Sequence, residues 1–382
     1  MSKQKYWVWL AECSGLSAAN AGKLLEHFGS AEAVYKAKGN EYMEISGFRL
    51  KNVKGLLDKN LEKADEILLS CAEIGCEVIT QDGTSYPQRL KNIYDPPVVL
   101  YVKGKLPRID EMPVFGIVGT RICTPYGITH ATRAGQQLSE CGFVVVTGLA
   151  KGIDTAATLG ALRGGTPTIG VVGCGVDFVY PPENTQIYRD VENFGAIVSE
   201  YPPGTEPHKT RFPMRNRIIS GLSVGIAVVE APMRSGALIT AARALEQGRD
   251  VFVLPGNVDA DKCEGSNRLI REGATPFLSP ENIIDEYIGL FEDKLTLKSP
   301  SADKKAKGNA PKTDYVELGK LLRELSGDEK EVAETLAKEP LLTDEIIIAT
   351  GLPAQSVLTA LTMLELSGFT VRGVSGKYSL LG

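Results

Sequence analysis

A chain of 382 residues is too long for one ordinary core, so two or three domains are expected. With 43% hydrophobic and 23% charged residues and no apolar run long enough to cross a bilayer, the composition is that of an average soluble globular protein without a membrane partner. The net charge of −5 argues against a surface coated in nucleic acid, yet leaves room for a local basic site, because nearby charges set the field in a cleft.

The opening MSKQKYWVWLAECSG has two lysines and a short aromatic-apolar run broken by Glu12, so it reads as a first helix and not as a signal peptide. The expected location is the cytoplasm. The seven cysteines fit that: none forms a Cys-x-x-Cys pair, the closest are Cys71 and Cys76, and His27, His130 and His208 add too few ligands for a zinc site. The cysteines are read as small buried apolar residues, and no metal or cofactor is expected.

Residues 1–80 carry apolar positions at helical spacing with Gly or Ser breaks, and form a small helical domain. AGKLLEHFGSAEAVYKA gives two short helices around Gly29-Ser30, with Ser30 as N-cap. EYMEISGFRLKNVKGLL, hinged at Ile45-Ser46-Gly47, resembles a helix-hairpin-helix or SAM-like unit; packing alone and phosphate contact through the hairpin both remain open for it. Residues 81–112 are rich in turn formers and read as a connecting segment with one strand, VVLYVKG.

From 113 to 290 the pattern changes to short β-branched runs (VFGIVG, FVVVTG, TIGVVGCG, AIVSEY, VGIAVVEAP, VFVLPG, TPFL) separated by helical stretches. That alternation predicts an α/β domain: a doubly wound, mostly parallel, Rossmann-like sheet covered on both faces. Residues 291–327 are charged, poor in large apolar residues, and read as a linker. Residues 328–382 show three helices and two short strands around Ser375-Gly376, a winged-helix outline.

Ligands of open parallel sheets bind outside the carboxyl ends of the strands. Those ends are Gly119-Thr120, Thr147-Gly148, Gly173-Cys174-Gly175, Ser199-Glu200, Ala231-Pro232 and Pro255-Gly256. Glycine turns and helix starts present backbone N–H groups that favour phosphates. GTRICTPYG adds Arg121, TGLAKGID adds Lys151, and RSGALIT puts Ser235 and Gly236 at a helix mouth with Arg234 beside them. A dinucleotide site fails on detail, since Gly116-Ile-Val-Gly119 is not GxGxxG and no acidic residue closes the second strand; GxxxxGK[ST] is absent too.

The stretch HKTRFPMRNRIISGLS gathers Lys209, Arg211, Arg215 and Arg217 around Phe212, with Asn216 between two arginines. Cations for phosphates and an aromatic face for a base are what single strands require. For Phe212 two placements stay open: a stacking plate, or a ring tucked under the sheet.

GTRICTPYG, TGLAKGID, GVVGCGVDFVYPPEN, SEYPPG, RFPMRNRIISGLS, VVEAPMRSGALITAARALEQGRDVFVLPG and GSNRLIREGA together resemble the DNA-processing protein A (DprA/Smf) family, in family order across nearly the whole α/β domain. The resemblance implies a homodimeric protein that binds single-stranded DNA and loads RecA recombinase in natural transformation and related recombination. It carries DNA contact onto Arg121, Lys209 and Phe212 and the basic motif onto Arg215-Asn216-Arg217, while Lys151, Ser235 and Gly236 match motifs with less direct contact. Two departures stand out: Ala157-Thr158-Leu159, where many members have Ala-His-Arg, and Pro182, where some have lysine.

The chief rival is a nucleotide-acting, phosphoribohydrolase-like enzyme, whose PGGxGTxxE signature puts a carboxylate into the helix mouth. Here Thr240 and Ala241 fall at that place, leaving Glu200 and Glu230 as the carboxylates to consider. A sequence-reading role for the winged helix is disfavoured, because PAQSVLTALTMLELSG has no Lys or Arg; a protein-contact role is expected instead. The pattern predicts a non-enzymatic site in which backbone amides at Gly119-Thr120, Gly148 and Ser235-Gly236, with Arg121 and Lys209, hold phosphates.

Overall fold

In the computed structural model, which describes residues 3–48, 50–296, 327–336, 341–366, 370–372 and 378–380, each β-branched run becomes a strand. In chain order they are β1 (Glu77–Thr80), β2 (Val99–Gly104), β3 (Val114–Val118), β4 (Val144–Thr147), β5 (Thr168–Val171), β6 (Gly195–Ser199), β7 (Gly225–Val228), β8 (Asp250–Val253) and β9 (Thr275–Pro276). They form one nine-stranded sheet in the order β1-β2-β6-β5-β4-β3-β7-β8-β9. From β6 to β9 every pairing is parallel. Every residue of β3 to β7 is buried, as strands covered by helices on both faces require.

The chain lays down β3, β4, β5 and β6 in one direction, then returns to place β7 on the other side of β3. The reversal leaves a crevice between the carboxyl ends of β3 and β7, the switch point where open α/β sheets bind ligands. The helices Pro125–Glu140 and Ile153–Gly164 cross closely over one face, where a Cβ at Gly135 would fall 2.1 Å from the Ala157 carbonyl oxygen.

The sheet extends past the boundary expected at 113. β1 lies at the end of the stretch read as helical, and β2 lies in the segment read as a connector; β1 pairs with β2 and β2 with β6, both antiparallel. The physical reason lies in the side chains. Val99, Leu100, Tyr101 and Val102 are each at most 1% exposed, so this run is core, and it covers what would otherwise be the open edge of β6.

The helical region before β1 packs its own core around Trp7, Trp9, Leu24, Tyr42 and Leu56. Ser17 and Ser30 cap their helices through side chains that accept from Asn20 and Ala33 N–H, and Gly29 closes the first of these helices at φ +80°. All seven cysteines are free and six are buried.

The chain divides into two units, residues 1–302 and 303–382. In the second, helices Gly327–Leu336, Thr343–Thr350 and Ala354–Leu366 pack around Val332, Leu336, Ile346, Val357 and Leu361, and β10 (Thr370–Arg372) pairs antiparallel with β11 (Tyr378–Leu380). This is the winged-helix outline; its turn at Ser375-Gly376 and most of the 291–327 linker lie outside the described residues. Among the described residues no helix is long and apolar enough to cross a membrane.

Candidate nucleic-acid interface

Three chain segments meet at the switch point. After β3, residues 119–122 turn into the helix Pro125–Glu140, whose start is held by Thr124: its hydroxyl accepts Gly127 N–H at 3.2 Å. After β7, residues 232–235 turn into the helix Gly236–Glu246, capped by Ser235 through Ala237 N–H. The start of the helix Arg211–Leu222 forms the third wall, and Asn216 ties it to the second by donating Nδ2–H to the Gly236 carbonyl at 3.2 Å. Together they enclose a cleft of about 540 Å³. Of the residues expected there, Gly119, Thr120, Arg121, Lys209, Phe212, Arg215, Asn216, Ser235 and Gly236 line it.

Its electrostatics are one-sided. Arg121, Lys209 and Arg234 are exposed, Lys262 is half-buried, and Asp154 is the sole carboxylate among the lining residues. A net negative chain thus concentrates cations where a low-dielectric wall focuses their field. At Gly236 a Cβ would enter open space, so that helix mouth is accessible to a ligand. Elsewhere glycine serves packing: a Cβ at Gly119 would lie 2.5 Å from Ile153.

Phe212 lies between the two placements left open, half-buried within the cleft lining. Its half-buried ring has the Arg121 guanidinium over it, 5.2 Å from centroid to Cζ, and Tyr180 stacked on it at 5.2 Å and 24°. Its edge abuts Gly173, where a Cβ would come within 3.0 Å of Cδ1. Phe212 is therefore the middle of a tier whose outer plate, Tyr180, is 39% exposed. Tyr180 and Lys262 escaped the sequence reading; the signal for Tyr180 was an aromatic just after the glycine turn that closes β5.

Five expected contacts need correction. The Gly148 N–H is donated to Asp154 Oδ2 at 3.0 Å and its carbonyl accepts from Arg215 Nη1 at 2.9 Å, so this buried amide is not free for a phosphate. Arg215, 4% exposed, also donates to the Val171 carbonyl; it braces the cleft floor rather than facing a ligand. Arg217, 2% exposed, does not line the cleft. Two residues apart on a helix means opposite faces, and Arg217 pairs with both oxygens of Glu200 (2.6 and 3.3 Å) and with Asp95 (3.1 Å) in the 81–112 segment. Burial opposes its charge, but Glu200 and Asp95 outweigh that and hold its pKa above the ordinary arginine value. Lys151 is exposed, pairs with Glu183 at 2.6 Å and lies off the cleft lining. The Thr120 N–H, too, is already donated to the Glu230 carbonyl at 2.7 Å, and the Thr120 hydroxyl accepts the Ile122 N–H at 3.3 Å.

The remaining carboxylates are committed elsewhere. Glu200 holds Arg217, and the Glu230 carboxylate accepts Thr124 N–H at 2.9 Å and its hydroxyl. At the departures, Thr158 is wholly buried with its hydroxyl 2.9 Å from that of Thr147, while Pro182 is exposed.

A family model for DNA recombination-mediator protein A matches residues 77–288, a span that begins at β1, and a DprA winged helix model matches residues 319–374. The protein Smf of Synechocystis sp. is 33% identical over 401 residues, covering 99% of this chain and 98% of its own length. The DNA processing protein DprA of Bacillus subtilis is 40% identical over 64% of this chain and 81% of its own. The X-ray structure of Streptococcus pneumoniae DprA superposes with a TM-score of 0.65 at 37% identity, covering 74% of this chain and 97% of that one. The Helicobacter pylori DprA, solved for its single-stranded DNA binding mode, gives a TM-score of 0.51 at 30% identity over 57% of this chain and 97% of that one. A family model that matches more than half of the chain, a relative that spans it end to end, and a relative's structure that superposes on it lead to one assignment: this chain belongs to the DNA recombination-mediator protein A (DprA/Smf) family.

Proposed function

We propose that the cleft binds single-stranded DNA by its backbone, with little regard to sequence, and that no covalent chemistry takes place there. The observation that carries this is the convergence of Lys209 and the Phe212–Tyr180 tier with Arg121, Arg234 and the open helix mouth at Ser235-Gly236 in one cleft. Cations and a helix N-terminus suit phosphates. An exposed aromatic plate beside them suits a base, and only an unpaired base can reach it.

A nucleotide-cleaving enzyme would need a general base poised over the reacting centre. Glu200 and Glu230 do not line the cleft and are held by Arg217 and Thr124, and Asp154 is buried and tied to backbone amides. We therefore read the site as one that binds and does not turn over. Loading of RecA recombinase and homodimer formation belong to the same proposal; they rest on family resemblance, and the H. pylori relative, whose structure concerns single-stranded DNA, supports the choice of ligand.

The test is a salt titration of the full chain with single- and double-stranded oligonucleotides of equal length. Tighter binding of the single strand, with a steep fall in affinity as salt rises, is expected. Equal affinity for duplex, or release of free base from nucleoside monophosphates, would overturn the reading.

A further inference from the structure

The cleft floor holds a carboxylate that phosphate binding does not call for. Asp154, in the first turn of the helix Ile153–Gly164, is 6% exposed. Its Oδ2 accepts N–H from Gly148 at 3.0 Å and from Ala150 at 3.4 Å. Arg215 approaches the same turn from the other side and donates to the Gly148 and Val171 carbonyls. Gly148 is clamped between them: a Cβ there would fall 2.6 Å from Arg215 Nη2 and 2.7 Å from Asp154 Oδ2. Carboxylate and guanidinium together hold the turn after β4 against the carboxyl end of β5.

We propose that Asp154 is a positioning residue for the bound phosphodiester strand: it fixes the 148–150 turn and offsets the charge of Arg215, so the cleft holds the strand more tightly once the carboxyl carries a proton. This rests on the single-strand reading of the cleft. As a carboxylate, Asp154 sets a negative charge beneath the phosphates in a poorly screened place. Once protonated it leaves Arg215 uncompensated, and its carbonyl oxygen can still accept the Gly148 amide, so the turn keeps its shape. Burial raises Asp154 to about 6, against the opposing pull of Arg215 on the helix Arg211–Leu222, the amides of Ala150 and Gly148, and Arg121 after β3. Beside Arg215 stand Tyr188 and Cys174, both shifted up by burial.

The sign follows from linkage. A bound polyanion favours the protonated carboxyl, so affinity rises as pH falls through the region of about 6, and binding takes up part of a proton. The experiment measures binding of an unphosphorylated oligothymidylate, which itself does not titrate there, at constant ionic strength from about pH 7.5 to about pH 5.5. Histidine also changes charge in that interval, so His208, beside Lys209, is replaced by asparagine in every arm.

The His208→Asn chain should tighten about fivefold on acidification, the low end of ordinary coupling. Adding Asp154→Asn should give the low-pH affinity throughout, with no pH response. A flat profile in the first, or an undiminished rise in the second, overturns the proposal. A brace that only held the fold would leave the pH profile of a folded variant unchanged. Should Asp154→Asn not fold, calorimetry of the His208→Asn chain in two buffers near pH 6 decides: fractional proton uptake on binding is expected, and none overturns the proposal. If binding is present and lost in Lys209→Ala but independent of pH, only the Asp154 proposal falls; if no oligonucleotide binds at all, the reading of the cleft falls with it.

Discussion

The segment 209–217 carries cations along its whole length, yet its two halves end in opposite surroundings. Lys209 is exposed at the cleft rim and Phe212 lies within the aromatic tier, whereas Arg215 and Arg217 are 4% and 2% exposed. The first half supplies Lys209 and Phe212 to the cleft lining. The second holds the scaffold: Arg215 spans the ends of β4 and β5, and Arg217 ties the helix Arg211–Leu222 to Glu200 after β6 and to Asp95 before β2. A basic motif is thus two devices joined end to end, and its arginines are kept for geometry and its lysine for charge. Arginine suits the buried role because its planar fork satisfies several acceptors at once.

The difference is largest in stability. Removing one partner of a buried ion cluster leaves the others charged and unpaired, at a cost of about 3–5 kcal/mol. Arg217→Ala should therefore lower the free energy of unfolding in urea by about that amount, while the fraction that remains folded keeps the parental salt slope for single-stranded DNA. A reduced slope with unchanged stability would move Arg217 to the ligand side. Next in size is the aromatic tier. Phe212→Ala should weaken single-strand binding by about 1–3 kcal/mol with the salt slope intact, the signature of lost stacking and not of lost charge. Tyr180→Ala should match it in kind. If Tyr180→Ala left affinity untouched while Phe212→Ala reduced it, the outer plate would have no part in holding a base.

How much of this was legible follows from the kind of signal each residue gives. β3 to β8 were readable because a strand buried on both faces is a continuous apolar run, and the glycine turns after β3 and β7 marked the switch point without coordinates. β1 was missed because four residues between a helix and a turn carry too short a pattern to read. Lys209, Arg121 and Phe212 stand out by their chemistry, and the structure brings all three to one cleft. The separation of Arg215 from Arg217 was also within reach, since residues two apart on a helix point about 200° from each other. What sequence alone lacks is the partner. Nothing in RNRIIS tells which arginine meets Asp95, more than a hundred positions earlier, and nothing in TGLAKGID says that Asp154 takes up the amide of Gly148. Lys262 is hidden for the same reason: it comes to the cleft from the loop after β8, far along the chain from the motifs it joins.

The smallest effects test the boundary of the cleft. Lys209→Ala should lower the slope of log affinity against log salt by about 0.7, the value for one phosphate on a single strand. Lys151→Ala should leave that slope where it was. Both lysines are exposed and both stand in motifs of the same domain, so a count of surface charge treats them alike. Position separates them: Lys209 lines the cleft, whereas Lys151 is off its lining, with its ammonium 2.6 Å from Glu183. An exposed pair of that sort contributes little to stability, and its lysine brings no uncompensated charge toward a phosphate. Measuring both slopes in one buffer series makes the contrast internal. A fall with Lys151→Ala equal to that with Lys209→Ala would mean that the bound strand runs on past the turn after β4, over the 151–183 pair, and that the ligand track is longer than the cleft.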